Sequence, residues 1–146
     1  MAKRKLNVPV KRGDLLELDV ETYASSGDGL SRHEGYTLFT PGGIPGDRIK
    51  GKVIKTTPRF GVMDILERTK LSQDRVDPPC PVFLKCGGCK FQDLNYEKQL
   101  DFKVQVVRDS LQRIGRIKLP EKIEAFAAKR QYQYRNKGSF AVTGKA

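Results

Sequence analysis

Leu16-Glu17-Leu18-Asp19-Val20-Glu21 alternates apolar and acidic side chains with a period of two. Successive side chains of an extended backbone point to opposite faces, so this pattern reads as a half-buried strand. Ser25 to Gly29 breaks it with turn-forming residues, and Gly35 to Thr40 reads as the next strand. Pro41-Gly-Gly-Ile-Pro-Gly-Asp47 is dense turn chemistry, prolines setting φ and glycines permitting positive φ. Ile49 to Thr57 and Phe60 to Leu66 supply two more strands on either side of Pro58. Four or five short strands at this spacing predict a small antiparallel barrel or sandwich over residues 13–70.

The 146 residues carry 28 Lys and Arg against 17 Asp and Glu, a net charge of +11. An excess of that size favours a polyanionic partner, because neutralising phosphates releases condensed counterions. No apolar run approaches a membrane span, and the first residues lack a signal-peptide core. A cytoplasmic, soluble, monomeric protein without membrane attachment is the expectation. Residues 1–12 hold Lys3, Arg4, Lys5, Lys11 and Arg12 with no acid and read as a basic arm.

All three cysteines fall within ten residues, Cys80-Pro-Val-Phe-Leu-Lys-Cys86-Gly-Gly-Cys89. Soft thiolates at this density suit an iron–sulfur cluster or zinc. Gly87 and Gly88 would let the backbone pass close to a cluster, and Pro78, Pro79 and Pro81 stiffen the approach. Zinc sites more often pair two short Cys-x-x-Cys knuckles, and the one histidine, His33, stands among charged neighbours in the strand-rich half. Iron–sulfur is favoured, with zinc and free thiols as alternatives. The three cysteines do not follow the spacing of radical S-adenosylmethionine enzymes.

Leu100, Val104, Val107, Leu111 and Ile114 step by four, three, four and three. That spacing predicts a long helix with one apolar packing stripe, capped by Asp93 or Asn95 and closed by a left-handed Gly115. Beyond Pro120, residues 125–146 contain no acid, and Lys129, Arg130, Arg135, Lys137 and Lys145 interleave with Phe126, Tyr132, Tyr134 and Phe140. Such a mixture holds phosphates and stacks unpaired bases. A β-hairpin turning near Asn136-Lys137-Gly138 is the structural alternative.

Cys80-x5-Cys86-Gly-Gly-Cys89-x2-Gln92, then Leu94-x-Tyr96-x2-Gln99-Leu100-x2-Lys103, resembles the RNA (uracil-5-)-methyltransferase family. Tyr134-Arg135-Asn136-Lys137 extends the resemblance. Gly27-Asp-Gly29-Leu-Ser-Arg32 and the 41–47 turn are similar to the TRAM domain, a small OB-like β-barrel that binds RNA. The resemblance implies a [4Fe-4S] cluster on Cys80, Cys86, Cys89 and a fourth cysteine beyond this sequence. It also implies a later domain that binds S-adenosylmethionine, where a cysteine attacks uridine C6 before the methyl group is added at C5. No residue of this chain matches those catalytic elements.

The resulting expectation is an α+β chain. It comprises the basic arm (1–12), a TRAM-like β-barrel (13–70), an iron–sulfur loop (71–92), and a helix opening an incomplete α/β central domain (93–146). Its expected role is the RNA-binding, cluster-carrying N-terminal portion of an S-adenosylmethionine-dependent RNA uridine methyltransferase, inactive alone, with rRNA ahead of tRNA as partner. A stand-alone RNA-binding module and a small redox protein are the competing readings. The residues expected to touch RNA are Arg32, Arg48, Lys50, Lys52, Tyr132, Tyr134, Arg135 and Lys137.

Overall fold

A computed structural model describes residues 8–134 and 136–138. The residues Lys3, Arg4, Lys5, Arg135, Phe140 and Lys145 of the sequence reading lie outside these. The described chain forms β1 (Leu15–Asp19), β2 (Thr22–Tyr23), β3 (Gly29–His33), β4 (Tyr36–Thr40), β5 (Arg48–Thr56), β6 (Phe60–Lys70) and α1 (Tyr96–Asp109). The strands make one curled sheet in the order β1-β5-β6-β4-β3-β2. Neighbours are antiparallel except β4 and β6, which run parallel with Thr37 opposite Phe60 and Phe39 opposite Val62. Residues 29–33, expected to follow a break, form the strand between β2 and β4.

The alternation in β1 and β5 decides the inside. Ile49, Gly51 and Val53 are buried while Arg48, Lys50 and Lys52 are exposed. Inside the curl, Val10, Tyr36, Leu38 and Val53 form one cluster and Val20, Ile49 and Met63 another, with Leu16 and Leu18 packed against both. Three register shifts between β5 and β6 provide the curvature. Gly51 allows the closest approach there: a Cβ would stand 2.6 Å from Asp64 O and 2.7 Å from Met63 Cγ.

Asp47 organises the 41–47 turn and the segment beyond the sheet. Its side chain is fully buried; Oδ2 accepts from the Ile44 amide at 2.9 Å and Oδ1 from the Ser72 amide at 2.9 Å. Arg75 Nη2 lies 2.5 Å from Asp47 Oδ2 and donates to Gly42 O at 3.0 Å, while Arg75 Nη1 pairs with Asp93. Burial would raise the Asp47 carboxyl, but donation from Arg75, Ser72 and Ile44 outweighs it and holds the group below the usual range. Asp93 shares Arg75 and moves the other way, because burial dominates and two backbone amides do not converge on it. One guanidinium thereby joins the barrel turn, residue 75 and the segment entering the helix.

That segment is docked at further points. Val76 N–H donates to Asp93 O at 3.0 Å, Lys90 pairs with Asp28 at 2.8 Å, and Phe91 lies over Gly27, where a Cβ would meet its ring at 2.7 Å. Asn95 caps α1 through the Glu97 amide at 2.9 Å, leaving Asp93 to Arg75. The helix is held by Phe102, whose ring centroid lies 5.1 Å from that of Tyr23 and 4.9 Å from that of Phe91.

Two expectations about the helix are corrected. The stripe from Leu100 to Ile114 is no packing face among the described residues: none of it is buried, Val107 is 46% exposed and Ile114 is 83% exposed. Docking runs instead through Phe102, one face away. Gly115 is not left-handed, with φ −74°; residues 110–114 widen into a π turn closed by Gly115 N–H to Ser110 O at 2.9 Å, and Arg116 takes φ +54°. Nor is there a hairpin among the described residues of 131–138, which hold bends and no strand.

Candidate nucleic-acid interface

The outer face of β1, β5 and β6 carries three of the expected RNA contacts. Arg48 lies between Glu17 (2.9 Å) and Asp19 (3.1 Å), and Lys50 pairs with Glu67 at 3.4 Å. The hydrogen bond from Arg48 holds the Glu17 carboxyl below its usual range. Lys52 stands opposite Leu15 on one side and Asp64 on the other. The three cations therefore share their face with four acids, Glu17, Asp19, Asp64 and Glu67. Cross-strand pairing of this kind stabilises the sheet and leaves little field for a polyanion.

The outer face of β3, β4 and β6 differs. Register places Arg32, Thr37 and Phe60 in one row and Leu30, Phe39 and Val62 in the next. Each row points outward, since Ser31, Leu38 and Gly61 between them are buried. The Phe39 and Phe60 rings meet edge to face with centroids 5.3 Å apart, and Phe60 is 36% exposed. The turn before Phe60 is firmly built: Thr57 Oγ1 accepts from the Phe60 amide at 3.1 Å and donates to Phe60 O at 2.7 Å, and Tyr36 Oη donates to Thr57 O at 2.7 Å. That turn presents Arg59 beside the platform. Neither Arg32 nor Arg59 joins an ion pair among the described residues.

A partly exposed aromatic pair accompanied by unpaired guanidiniums can stack bases and hold phosphates together. Arg32 was expected here; Phe39, Phe60 and Arg59 were not. A signal existed in Phe60 directly after Arg59, but the partner ring arrives only through the parallel β4–β6 contact.

The cysteine loop lies at the opposite end of the docked segment. Cys86 is exposed, Cys80 and Cys89 are partly buried, and all three thiols are free of disulfides. Gln92 Nε2 donates to Cys89 Sγ at 3.1 Å. Gly87 takes φ +71°, as the expected tight turn requires. Thiolates fit a soft metal in kind; among the described residues no three His, Cys, Asp or Glu side chains are gathered as this loop stands. Tyr132 and Tyr134 come to rest against this loop and the start of α1, and Lys137 is exposed. Among the described residues no helix is long and apolar enough to cross a membrane.

This fold, a curled six-stranded half-barrel followed by one docked helix, defines a small α+β module. Residues 9–62 match the TRAM domain family. An RNA methyltransferase of Halalkalibacterium halodurans is 38% identical over 138 residues, 94% of this chain and 30% of the relative. One from Nitratidesulfovibrio vulgaris is 39% identical over 90% of this chain and 28% of its own length. The solved tRNA (uracil-54, C5)-methyltransferase of Pyrococcus abyssi, in complex with S-adenosyl-L-homocysteine, aligns over 66% of this chain and 20% of its own at 28% identity, with a TM-score of 0.41. The chain carries a TRAM domain and is similar to RNA methyltransferases along nearly its whole length, while it spans about 30% of the length of the curated relatives it matches.

Proposed function

We propose that this chain grips RNA for an S-adenosylmethionine-dependent methyl transfer to C5 of a uridine, with ribosomal RNA the first substrate to try. The observation that carries the RNA reading is the outward Phe39–Phe60 pair, with Arg32 in the row of Phe60 and Arg59 next to Phe60 in the chain. The net charge of +11 supports it, as does the naming of the relatives as RNA methyltransferases. Methyl transfer and its cofactor belong to the longer protein that the relatives represent.

Affinity for a single-stranded oligoribonucleotide should fall as salt rises, with a log–log slope of about −0.7 per neutralised phosphate. Fluorescence anisotropy across a salt series measures it. Arg32→Gln and Arg59→Gln should each flatten the slope by about 0.7, whereas Arg48→Gln, taken from the acid-balanced face, should leave it unchanged. A slope lowered by Arg48→Gln and not by the other two would move the interface to the β1–β5–β6 face.

Cys80, Cys86 and Cys89 are proposed as ligands of an iron–sulfur cluster on the strength of their number and spacing. To act so the loop must draw its thiols together. Anaerobic reconstitution with iron and sulfide should then give a brown protein with bound iron, and Cys86→Ser should abolish the colour. Colourless protein that instead takes up zinc would replace the cluster by a zinc site.

A further inference from the structure

We infer that Lys55 is a further phosphate contact of the RNA platform. A single strand then lies diagonally across the sheet, from Arg32 on β3 to Lys55 on β5, with its bases over Phe39 and Phe60. The inference rests on the RNA reading above and extends that surface onto another strand.

An irregularity in β5 puts Lys55 there. From Arg48 to Ile54 the side chains alternate strictly, Ile49, Gly51 and Val53 buried and Arg48, Lys50, Lys52 and Ile54 exposed. Continued alternation would send Lys55 inward. Instead Ile54 and Lys55 are both exposed, because the register against β6 slips between Val53, opposite Met63, and Lys55, opposite Val62. Ile54 is the extra residue of a β-bulge, and a bulge re-aims the side chains beside it. The other two shifts between these strands place the extra residue in β6, at Leu66 and Thr69, and leave the alternation of β5 intact. The one bulge that β5 itself carries is the one that turns a cation outward.

Register carries Lys55 into the platform. Leu30, Phe39 and Val62 form an outward row on β3, β4 and β6, and Lys55 continues it on β5. Arg32 lies in the next row, with Thr37 and Phe60. The two cations therefore occupy opposite corners of this surface, and the Phe39–Phe60 pair lies on the other diagonal, between them. Three strand spacings and two residue steps separate the corners by about 16 Å along the sheet, which a few unpaired nucleotides can span. Lys55 joins no ion pair among the described residues. Asp64, the acid of β6 nearest to it in register on this face, stands opposite Lys52. The bulge thus separates the cations of β5 that sit among acids from one that is free to hold a phosphate.

The test uses the 146-residue chain and a single-stranded oligo(U) of about 12 nucleotides, within the site size of folds of this kind. Fluorescence anisotropy is read across a salt series. Lys55→Gln should flatten the log–log slope by about 0.7, and Arg32→Gln/Lys55→Gln by about 1.4, since both corners hold phosphates of one bound strand. Lys55→Arg should keep the parent slope. Lys52→Gln, three positions earlier on β5 and before the bulge, should leave it unchanged. Because Lys55 is exposed, the thermal midpoint of Lys55→Gln should match the parent. A parent slope in Lys55→Gln, equal flattening in Lys52→Gln, or a double variant no flatter than Arg32→Gln alone overturns the inference. If Arg32→Gln and Arg59→Gln still flatten the slope in that event, the RNA reading stands and only the Lys55 contact falls. If none of the three variants changes it, both fall.

Discussion

Arg75→Ala is expected to lower the stability of the fold by about 3–5 kcal/mol, as removal of one partner from a buried charge pair does. The residue's side chain is 13% exposed and faces two carboxylates, one fully buried. Deleting it leaves Asp47 and Asp93 without the cation that hydrogen-bonds both, and Gly42 O keeps only Arg68 as a side-chain donor. Domains of this size hold about 5–15 kcal/mol in all, so the loss would remove much of the margin. Urea unfolding followed by circular dichroism measures it, a change in midpoint at constant slope being the signature. Arg75→Lys should lose less, since it keeps the charge but not the fork that reaches Asp47, Asp93 and Gly42 at once. A loss under about 1 kcal/mol for the alanine variant would show that the barrel and the cysteine segment are not joined through this ion cluster.

Phe39→Ala/Phe60→Ala is expected to weaken single-stranded RNA binding by about 1–3 kcal/mol for each base stacked, which is about tenfold or more in Kd. The two rings lie on the outside of the sheet, and the two core clusters contain neither. The thermal midpoint should therefore move little while affinity falls, and Phe60→Tyr should restore binding because it keeps the aromatic face. Loss of affinity in step with loss of folded protein would assign the pair to structure alone. Affinity within about twofold of the parent would remove the platform from the interface.

How much of this was legible beforehand varied with the range of the interactions. Strands β1, β4, β5 and β6 followed from local alternation and turn chemistry, each within a residue or two at its start. Strand β3 did not: Gly29 and Asp28 look like loop, and only pairing on both edges, with Tyr23 and with Thr40, holds Gly29 extended. Of the two proposed caps for the helix, Asn95 took the role because Asp93 was drawn to Arg75, a residue eighteen positions upstream. The apolar helical stripe was read correctly as a pattern and incorrectly as a contact. Periodicity states which side chains share a face, not what that face meets, and Phe102 does the docking.

The candidate interface divides in the same way. Composition announced a surplus of cations but could not sort them. Arg48 and Lys50 lie far in sequence from the acids that neutralise them, and only sheet register brings Glu17, Asp19 and Glu67 alongside. Arg32 escapes this because its row carries no acid, and Arg59 because it stands in the turn before β6, outside the paired strands. By itself the sequence determined the β character of residues 13–70, the long helix, the cysteine loop and the surplus of positive charge. Those properties depend on side-chain type and on neighbours a few positions away. The tertiary structure alone decided which cations stay unpaired, that Phe39 meets Phe60, and that Arg32 and Lys55 share one outer face. Each of these joins segments separated by about twenty residues or more, and such contacts arise only once the chain has closed its loops.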